Sequence, residues 1–143
     1  MRPFVLALMM SLMAGAAHAE TDIAATCYRD CEAATASNPE FKACLARAAD
    51  AADEKLNAAY KALQGSVRAA SKEMGQPPDP QLASLTAAQK SWIAYRDANC
   101  SFEDELAFGG TAIGGNYSAC LCALSHERIA DFARIRRHLL LGD

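Results

Sequence analysis

Six cysteines constrain this chain more than any other feature of its sequence. They are Cys27, Cys31, Cys44, Cys100, Cys120 and Cys122. Their number is even, and all of them follow an N-terminal stretch typical of exported proteins, which predicts disulfide bonds. Six cysteines can pair in fifteen ways, and spacing alone does not choose among them. We therefore expect a small, disulfide-stapled domain.

The N-terminal stretch has the three parts of a secretory signal peptide. Arg2 supplies the basic start, an apolar run extends from Phe4 to Ala17, and Ala17-His18-Ala19 matches a small-x-small cleavage site. The apolar run is shorter than the roughly twenty residues of a bilayer span, and Thr26 before Cys27 disfavours lipidation. The sequence therefore predicts a signal peptide over 1–19 and one periplasmic or secreted domain over 20–143, without a membrane anchor.

The net charge of the chain indicates which kind of molecule it would bind. The chain has 14 Lys and Arg residues against 17 Asp and Glu residues, a formal net charge of −3. Removal of the predicted signal peptide makes the protein more acidic, since Arg2 is its only charged residue. An acidic exported protein is a poor candidate for binding nucleic acid and a reasonable one for binding a basic protein.

Helix signals dominate the rest of the chain. Asn38-Pro39-Glu40 and Asp79-Pro80 each offer a capping side chain followed by a proline at the first helical position. Apolar residues then recur every three or four positions along three long segments, and none shows the alternation of a strand. With a short helix or turn from Asp22 to about Ala36, this predicts an all-α bundle. We expect two long antiparallel helices packed as a hairpin, a C-terminal helix and the short N-terminal helix.

Two arginines lie on these apolar stripes. Arg96 shares a face with Trp92, and Arg128 lies between Leu124 and Phe132. A guanidinium buried without a partner costs several kcal/mol, so both require acceptors. The sequence predicts a polar network that fixes how the helices dock, with a ligand or partner site at the network as the alternative. Its members are Asp53, Asn57, Gln89, Arg96, Asp97 and Arg128.

Chemical motifs in the chain are weak. Cys122 and His126 share a helical face that a soft metal would suit, and a metal-binding or redox role through Cys120, Cys122 and His126 is a minor alternative to disulfides. Residues 109–115 follow no predicted strand and contain no lysine, which excludes a P-loop or dinucleotide fingerprint. Ser125-His126-Glu127 lacks the spacing of a nucleophile and its base. We expect no catalytic residues, no metal and no cofactor.

Several motifs together resemble one known family. They are Asp53-x-x-Leu56-Asn57-x-x-Tyr60, Gln89-x-x-Trp92-x-x-Tyr95-Arg96-Asp97-x-x-Cys100, Gly109-Gly110-Thr111, Cys120 and Arg128. On these, the chain resembles the LprI-type lysozyme inhibitor-like family from Cys31 to about Leu139. The block from Gln89 to Cys100 is the most specific part.

The resemblance also implies a disulfide scheme. The usual cysteines of the family correspond to Cys31, Cys44, Cys100 and Cys120, so Cys27 and Cys122 are additional and are expected to pair with each other. The break at 37–39 lets the chain reverse between Cys31 and Cys44, and Cys100 and Cys120 flank the glycine-rich segment. The predicted pairs are Cys31–Cys44, Cys100–Cys120 and Cys27–Cys122.

The function that the resemblance implies is inhibition of lysozyme by stoichiometric binding. Loop character and local charge suggest that a loop from Phe108 to Tyr117 and the neighbouring acids approach the enzyme's cleft. The residues in this hypothesis are Glu103, Asp104, Glu105, Phe108, Gly109, Gly110, Thr111 and Tyr117. The alternative is a cell-envelope module that binds another bacterial protein or peptidoglycan and ignores lysozyme.

Overall fold

Four α-helices make up the part of the chain that the structure describes. The computed structural model describes residues 23–141 and places α1 at Ile23–Ala34, α2 at Asn38–Glu73, α3 at Asp79–Glu105 and α4 at Gly115–Leu141. No strand occurs within these residues, and the all-α prediction is confirmed. The predicted signal peptide lies outside the described residues.

Helices α2 and α3 begin one residue earlier than their capping signals suggested. Ser37, not Asn38, is the N-cap of α2, and Glu40 reaches back to accept hydrogen bonds from the Ala36 N–H and the Ser37 hydroxyl. Asn38 is thereby free to donate its side-chain amide to the carbonyl of Thr111, at 3.3 Å. Likewise Pro78, not Asp79, is the N-cap of α3. The Ser37 side chain bonds to Glu40 and does not cap a backbone N–H of α2.

Helix α4 is the centre of the bundle. It runs parallel to α2, since Gly115 lies beside Leu45 at one end and Arg136 donates to Ser66 near the other. It runs antiparallel to α3, to which Cys120 is bonded through Cys100. Helices α2 and α3 are antiparallel, as predicted, but their backbones approach closely at few points. The expectation that they pack mainly on each other is wrong, because α4 packs against both.

The hydrophobic core is built from small residues at one end of the bundle, which we call the thin end, and from larger residues at the other end. Near α1 it consists of Ala49 and Ala52 against the Cys27 and Cys122 pair. Further along, Leu56, Leu63 and Phe132 form a larger cluster. Partly buried side chains complete this second cluster, including Tyr60, Leu85, Trp92, Ile129 and Ile135. Alanine and cysteine bury little apolar area, so the thin end gains less from the hydrophobic effect.

Three disulfides cross-link the thin end. Cys27 is bonded to Cys122, which joins α1 to α4, and Cys31 is bonded to Cys44, which joins α1 to α2. The third, Cys100–Cys120, joins α3 to α4. These are the pairs expected from the sequence, and no free cysteine remains in the described part of the chain. Within residues 23–141, no helix combines the length and apolar character needed to cross a membrane.

Candidate functional site

The Arg96 guanidinium links α3 to α2 and α4. Its Nη1 donates to Oδ1 of Asp53 at 2.9 Å and to the hydroxyl of buried Ser125 at 3.3 Å, while its Nε donates to Asp97 at 2.9 Å. Burial by itself lowers the pKa of Arg96, but hydrogen bonds and charge from Asp53 and Asp97 outweigh it. The pKa is therefore raised above the ordinary arginine value, and the guanidinium stays protonated.

The second arginine joins the network through an aromatic ring. Arg128 donates from Nε to the side-chain oxygen of Gln89 at 3.2 Å. The guanidinium carbons of Arg96 and Arg128 lie 5.3 and 5.6 Å from the centre of the Trp92 ring, within cation–π range. Arg128 also lies 4.7 Å from the centre of the Phe132 ring. The two arginines thus share one tryptophan between α3 and α4.

Of the six predicted network residues, two are the arginines themselves, and Asp53, Gln89 and Asp97 each contact one of these arginines. Asn57 is the exception, since it donates to Asp53 at 3.1 Å and so braces the carboxylate that receives Arg96. Among the described residues, no buried side-chain nitrogen or oxygen lacks a hydrogen-bond partner. Hydrogen bonds among these residues join α2, α3 and α4 and so fix how the helices dock.

The segment between α3 and α4 presents one aromatic side chain to solvent. Phe108 is 90% exposed and has a φ of 47°, a left-handed conformation that residues with a β-carbon rarely adopt. Gly109 and Gly114 follow with φ of 82° and 80°, where glycine is the residue without a steric cost. The Phe108 N–H donates to the carbonyl of Glu105 at 3.0 Å. The turn therefore holds Phe108 outward, away from any packing.

Asp104 fastens this turn to α4. Its Oδ1 accepts the N–H of Gly114 at 2.7 Å and that of Tyr117 at 3.1 Å, two donors that the first turn of a helix leaves unpaired. Glu103 instead accepts from the Asn99 side chain at 2.7 Å, and Glu105 is exposed at the end of α3. The three consecutive acids thus have different roles: Asp104 caps α4, and the other two face solvent.

The remaining predicted contact residues divide in the same way. Gly109, Gly110 and Thr111 lie in the exposed turn, and the carbonyl of Thr111 receives the Asn38 amide that ties the turn to α2. Tyr117 does not belong to the loop: it is half-buried within the first turn of α4. Because α4 already begins at Gly115, the connecting segment is shorter than the sequence suggested.

A family model decides what kind of protein carries this arrangement. The model described as "Lysozyme inhibitor LprI" matches residues 29–132, which include the arginine network, the exposed turn and five of the six cysteines. The chain belongs to the LprI family. Cys27 lies outside the matched residues, consistent with its interpretation as an additional cysteine.

One curated relative extends this family assignment. An uncharacterized protein of Rhizobium meliloti (strain 1021), R02472, is 31% identical over 109 residues, which cover 74% of this chain and 78% of the relative. No solved structure gives a significant match to the chain. Family membership is therefore established by sequence, and the geometry comes from this structure alone.

The minor alternative of a metal or redox role through Cys120, Cys122 and His126 requires free sulfurs, but Cys120 is bonded to Cys100 and Cys122 to Cys27. Ligand atoms of Cys27, Cys122 and His126 lie within 4.8 Å of one another. The two sulfurs are joined in a disulfide, so neither is available as the thiolate that a soft metal binds. The cluster in its oxidised form thus acts as a cross-link between α1 and α4.

One surface was not found from the sequence. Tyr95, Phe102 and Leu106 lie on a single face of α3 and its C-terminal extension, and each is more than half exposed. Their spacing of seven and four residues is the signal that would have located this face. The apolar stripe through Trp92 and Cys100 accounts for the buried side of α3, so the sequence alone gives no reason to single out this second face.

Proposed function

We propose that this protein is an exported inhibitor of lysozyme that acts by stoichiometric binding, without catalysis. Its membership of a family whose model is described as a lysozyme inhibitor supports this proposal. Three disulfides fit an oxidising compartment, which supports the periplasm or the cell exterior as its location. In this proposal the hydrogen bonds that Arg96 and Arg128 make within the chain hold the helices together and do not serve a ligand.

The structural observation that best supports the proposal is the left-handed backbone conformation of Phe108. A non-glycine residue in the left-handed region costs on the order of 1 kcal/mol, and most such residues are compensated by packing. Phe108 has no such compensation, because 90% of its surface is exposed. A strained backbone that presents a large aromatic side chain to water is typical of a recognition element.

The turn is also preorganised for binding. The Cys100–Cys120 disulfide joins the two helices that flank it, Asp104 caps α4 behind it, and Asn38 ties Thr111 to α2. Each restraint limits the motion of the turn before a partner arrives. Binding then costs less conformational entropy, which raises the affinity for a given set of contacts.

Charge supports a basic partner. Glu103 and Glu105 flank the turn, and the chain as a whole carries a formal net charge of −3. Lysozymes of the animal type are basic, so association would be steered by electrostatic attraction. In this proposal Phe108 enters or covers the enzyme's cleft, and the glutamates contact its rim.

The test is a titration of the mature protein against several lysozyme types in a cell-wall lysis assay. We expect inhibition to saturate near one inhibitor per enzyme for at least one basic lysozyme. Phe108→Ala should weaken inhibition at least tenfold, as expected for an aromatic hot spot. Leu140→Ala is the control, because Leu140 is another large exposed apolar residue, 68% exposed, at the opposite end of the bundle.

Each negative result in this assay leads to a different conclusion. If the wild-type protein inhibits no lysozyme, the proposed function is wrong, and the cell-envelope module becomes the better interpretation. A pull-down from envelope extract with wild-type and Phe108→Ala protein would then show whether the turn serves another partner. If Phe108→Ala inhibits as well as wild type, lysozyme is bound through a different surface.

A further inference from the structure

The exposed turn is too small to form a stable interface on its own. A specific protein complex of standard size buries about 800 Å² on each partner, contributed by about 20–30 residues. The turn comprises residues 106–114, of which only Phe108, Leu106 and Ile113 are large exposed apolar residues. A protein partner that engages Phe108 must therefore extend over a neighbouring surface.

The exposed face of α3 continues directly from the turn. Tyr95, Phe102 and Leu106 form a row along the helix that leads to Phe108. Aromatic side chains of this size usually bury about 150–250 Å². Because Tyr95 and Phe102 are more than half exposed, the fold loses much of the hydrophobic stabilisation that their burial would give. Contiguous exposed apolar residues of this kind mark protein-interaction sites.

A groove borders this row on the α4 side. Its volume is about 680 Å³, and Leu106 belongs both to the row and to the groove wall. Leu124 of α4 and Tyr28 of α1 give the groove an apolar lining. The row and the groove are therefore one surface, which we name the α3 edge and define as Tyr28, Tyr95, Phe102, Leu106 and Leu124.

The charges at the α3 edge define its occupant. Glu103 on α3 and Glu127 on α4 line the two sides of the groove. Arg29 is the one basic residue among the described residues that line the groove. An apolar surface edged by carboxylates complements a surface that carries arginine or lysine around an apolar side chain.

We propose that the α3 edge is the main docking surface for a basic protein partner, which inserts an apolar side chain into the groove beside Leu106. The inference rests on the proposed function for the identity of that partner, lysozyme, and extends the contact from the turn to Tyr95. In this arrangement Phe108 is the end of a longer interface.

The test uses matched double variants of the full mature chain. Phe102→Ala with Leu106→Ala truncates two of the five residues of the α3 edge, and Met74→Ala with Leu140→Ala truncates two exposed apolar residues at the other end of the bundle. All four positions are exposed, so both variants should keep the wild-type melting temperature. We expect the first variant to weaken lysozyme binding at least tenfold in isothermal titration calorimetry, and the second to bind within twofold of wild type.

A second measurement separates this inference from the proposed function. A synthetic peptide of alternating arginine and leucine is titrated into the labelled protein, and amide chemical shifts are followed by NMR. Shifts centred on the α3 edge that disappear in the Phe102→Ala, Leu106→Ala variant support the docking surface even if no lysozyme is inhibited. Shifts centred elsewhere, or none, overturn it.

Two further outcomes would also overturn the inference. If lysozyme binds the Phe102→Ala, Leu106→Ala variant as tightly as wild type, the proposed function stands and the α3 edge is not its interface. If sedimentation shows a wild-type dimer that this variant converts to monomer, the occupant is a second copy of the chain and not a basic protein.

Discussion

Arg96 and Asp53 form an ion pair in which the two partners differ sharply in exposure. Their Nη1 and Oδ1 atoms lie 2.9 Å apart, yet the arginine side chain is 11% exposed and the aspartate side chain 50% exposed. The aspartate thus remains hydrated while the arginine depends on its protein partners. Removing either one has a different consequence for stability.

The first prediction concerns this asymmetry. Arg96→Ala should lower the free energy of unfolding by about 2–4 kcal/mol, because it leaves a void beside Trp92 and removes the hydrogen bonds to α2 and α4. Asp53→Ala should cost only about 1 kcal/mol, since Asp97 still pairs with Arg96. A double-mutant cycle in urea should give a coupling of about 1 kcal/mol. A coupling energy indistinguishable from zero would show that Arg96 and Asp53 do not stabilise the fold through their ion pair.

The raised pKa of Arg96 sets the pH behaviour of this contribution. A group whose pKa is higher in the folded state stabilises the fold fully below its unfolded value and loses that effect only as pH rises through the folded value. For an arginine this window lies in strong alkali. The destabilisation caused by Arg96→Ala should therefore not be reduced by arginine deprotonation across neutral and mildly alkaline pH.

The second prediction distinguishes Asp104 from its acidic neighbours. Asp104→Ala should lower the free energy of unfolding by about 1–2 kcal/mol, because it leaves two N–H groups at the start of α4 without their acceptor. Glu103→Ala and Glu105→Ala should each change it by less than about 0.5 kcal/mol. Hydrogen exchange at Gly114 and Tyr117 should accelerate in Asp104→Ala alone. Equal effects at all three acids would contradict the cap.

These acids show where sequence reasoning succeeds and where it stops. Arg96 and Arg128 stand out because a charge on an apolar stripe must find a partner, and the structure gives each a hydrogen-bond partner on another helix. Glu103, Asp104 and Glu105 are nearly equivalent in sequence. Only the return of the chain at Gly114 gives Asp104 its role.

The pairing of helices was missed for a related reason. Apolar periodicity identifies which face of a helix is buried, but it does not say which faces meet. Leu56 and Phe132 each lie on a predicted stripe, and the sequence offered no reason to prefer their contact over a contact between α2 and α3. The parallel packing of α2 and α4 depends on α4 fitting between the other two helices.

The third prediction concerns the Cys27–Cys122 disulfide. Cys27→Ala with Cys122→Ala should give a protein that still folds, because Cys31–Cys44 keeps α1 attached to α2. We expect a loss of about 2–4 kcal/mol, since the bond joins residues that are 95 positions apart in the sequence. Exchange should accelerate in α1 more than in α3. If hydrogen exchange accelerated equally in all helices, the disulfide would not act mainly by holding α1 in place.

The fourth prediction tests the strained backbone at Phe108. Phe108→Gly removes the steric cost of a positive φ, whereas Phe108→Ala retains it. The glycine variant should therefore be more stable than the alanine variant by about 0.5–1 kcal/mol, the reverse of their usual order. Both variants should inhibit lysozyme at least tenfold more weakly than wild type. A more stable alanine variant would mean that Phe108 does not hold this conformation in solution.

The fifth prediction follows from the glutamates beside the turn. If they steer a basic lysozyme, the association rate should fall as salt rises from 0.05 to 0.5 M, by roughly tenfold, because the screening length shortens to a few ångströms. Glu103→Gln with Glu105→Gln should flatten this salt dependence and leave the melting temperature unchanged, since Asp104 keeps its capping role. Stopped-flow measurements at five salt concentrations would decide it. A wild-type rate that is constant across the series would show that the complex forms through apolar contacts alone, with Phe108 and the α3 edge supplying the recognition and the acids serving only solubility.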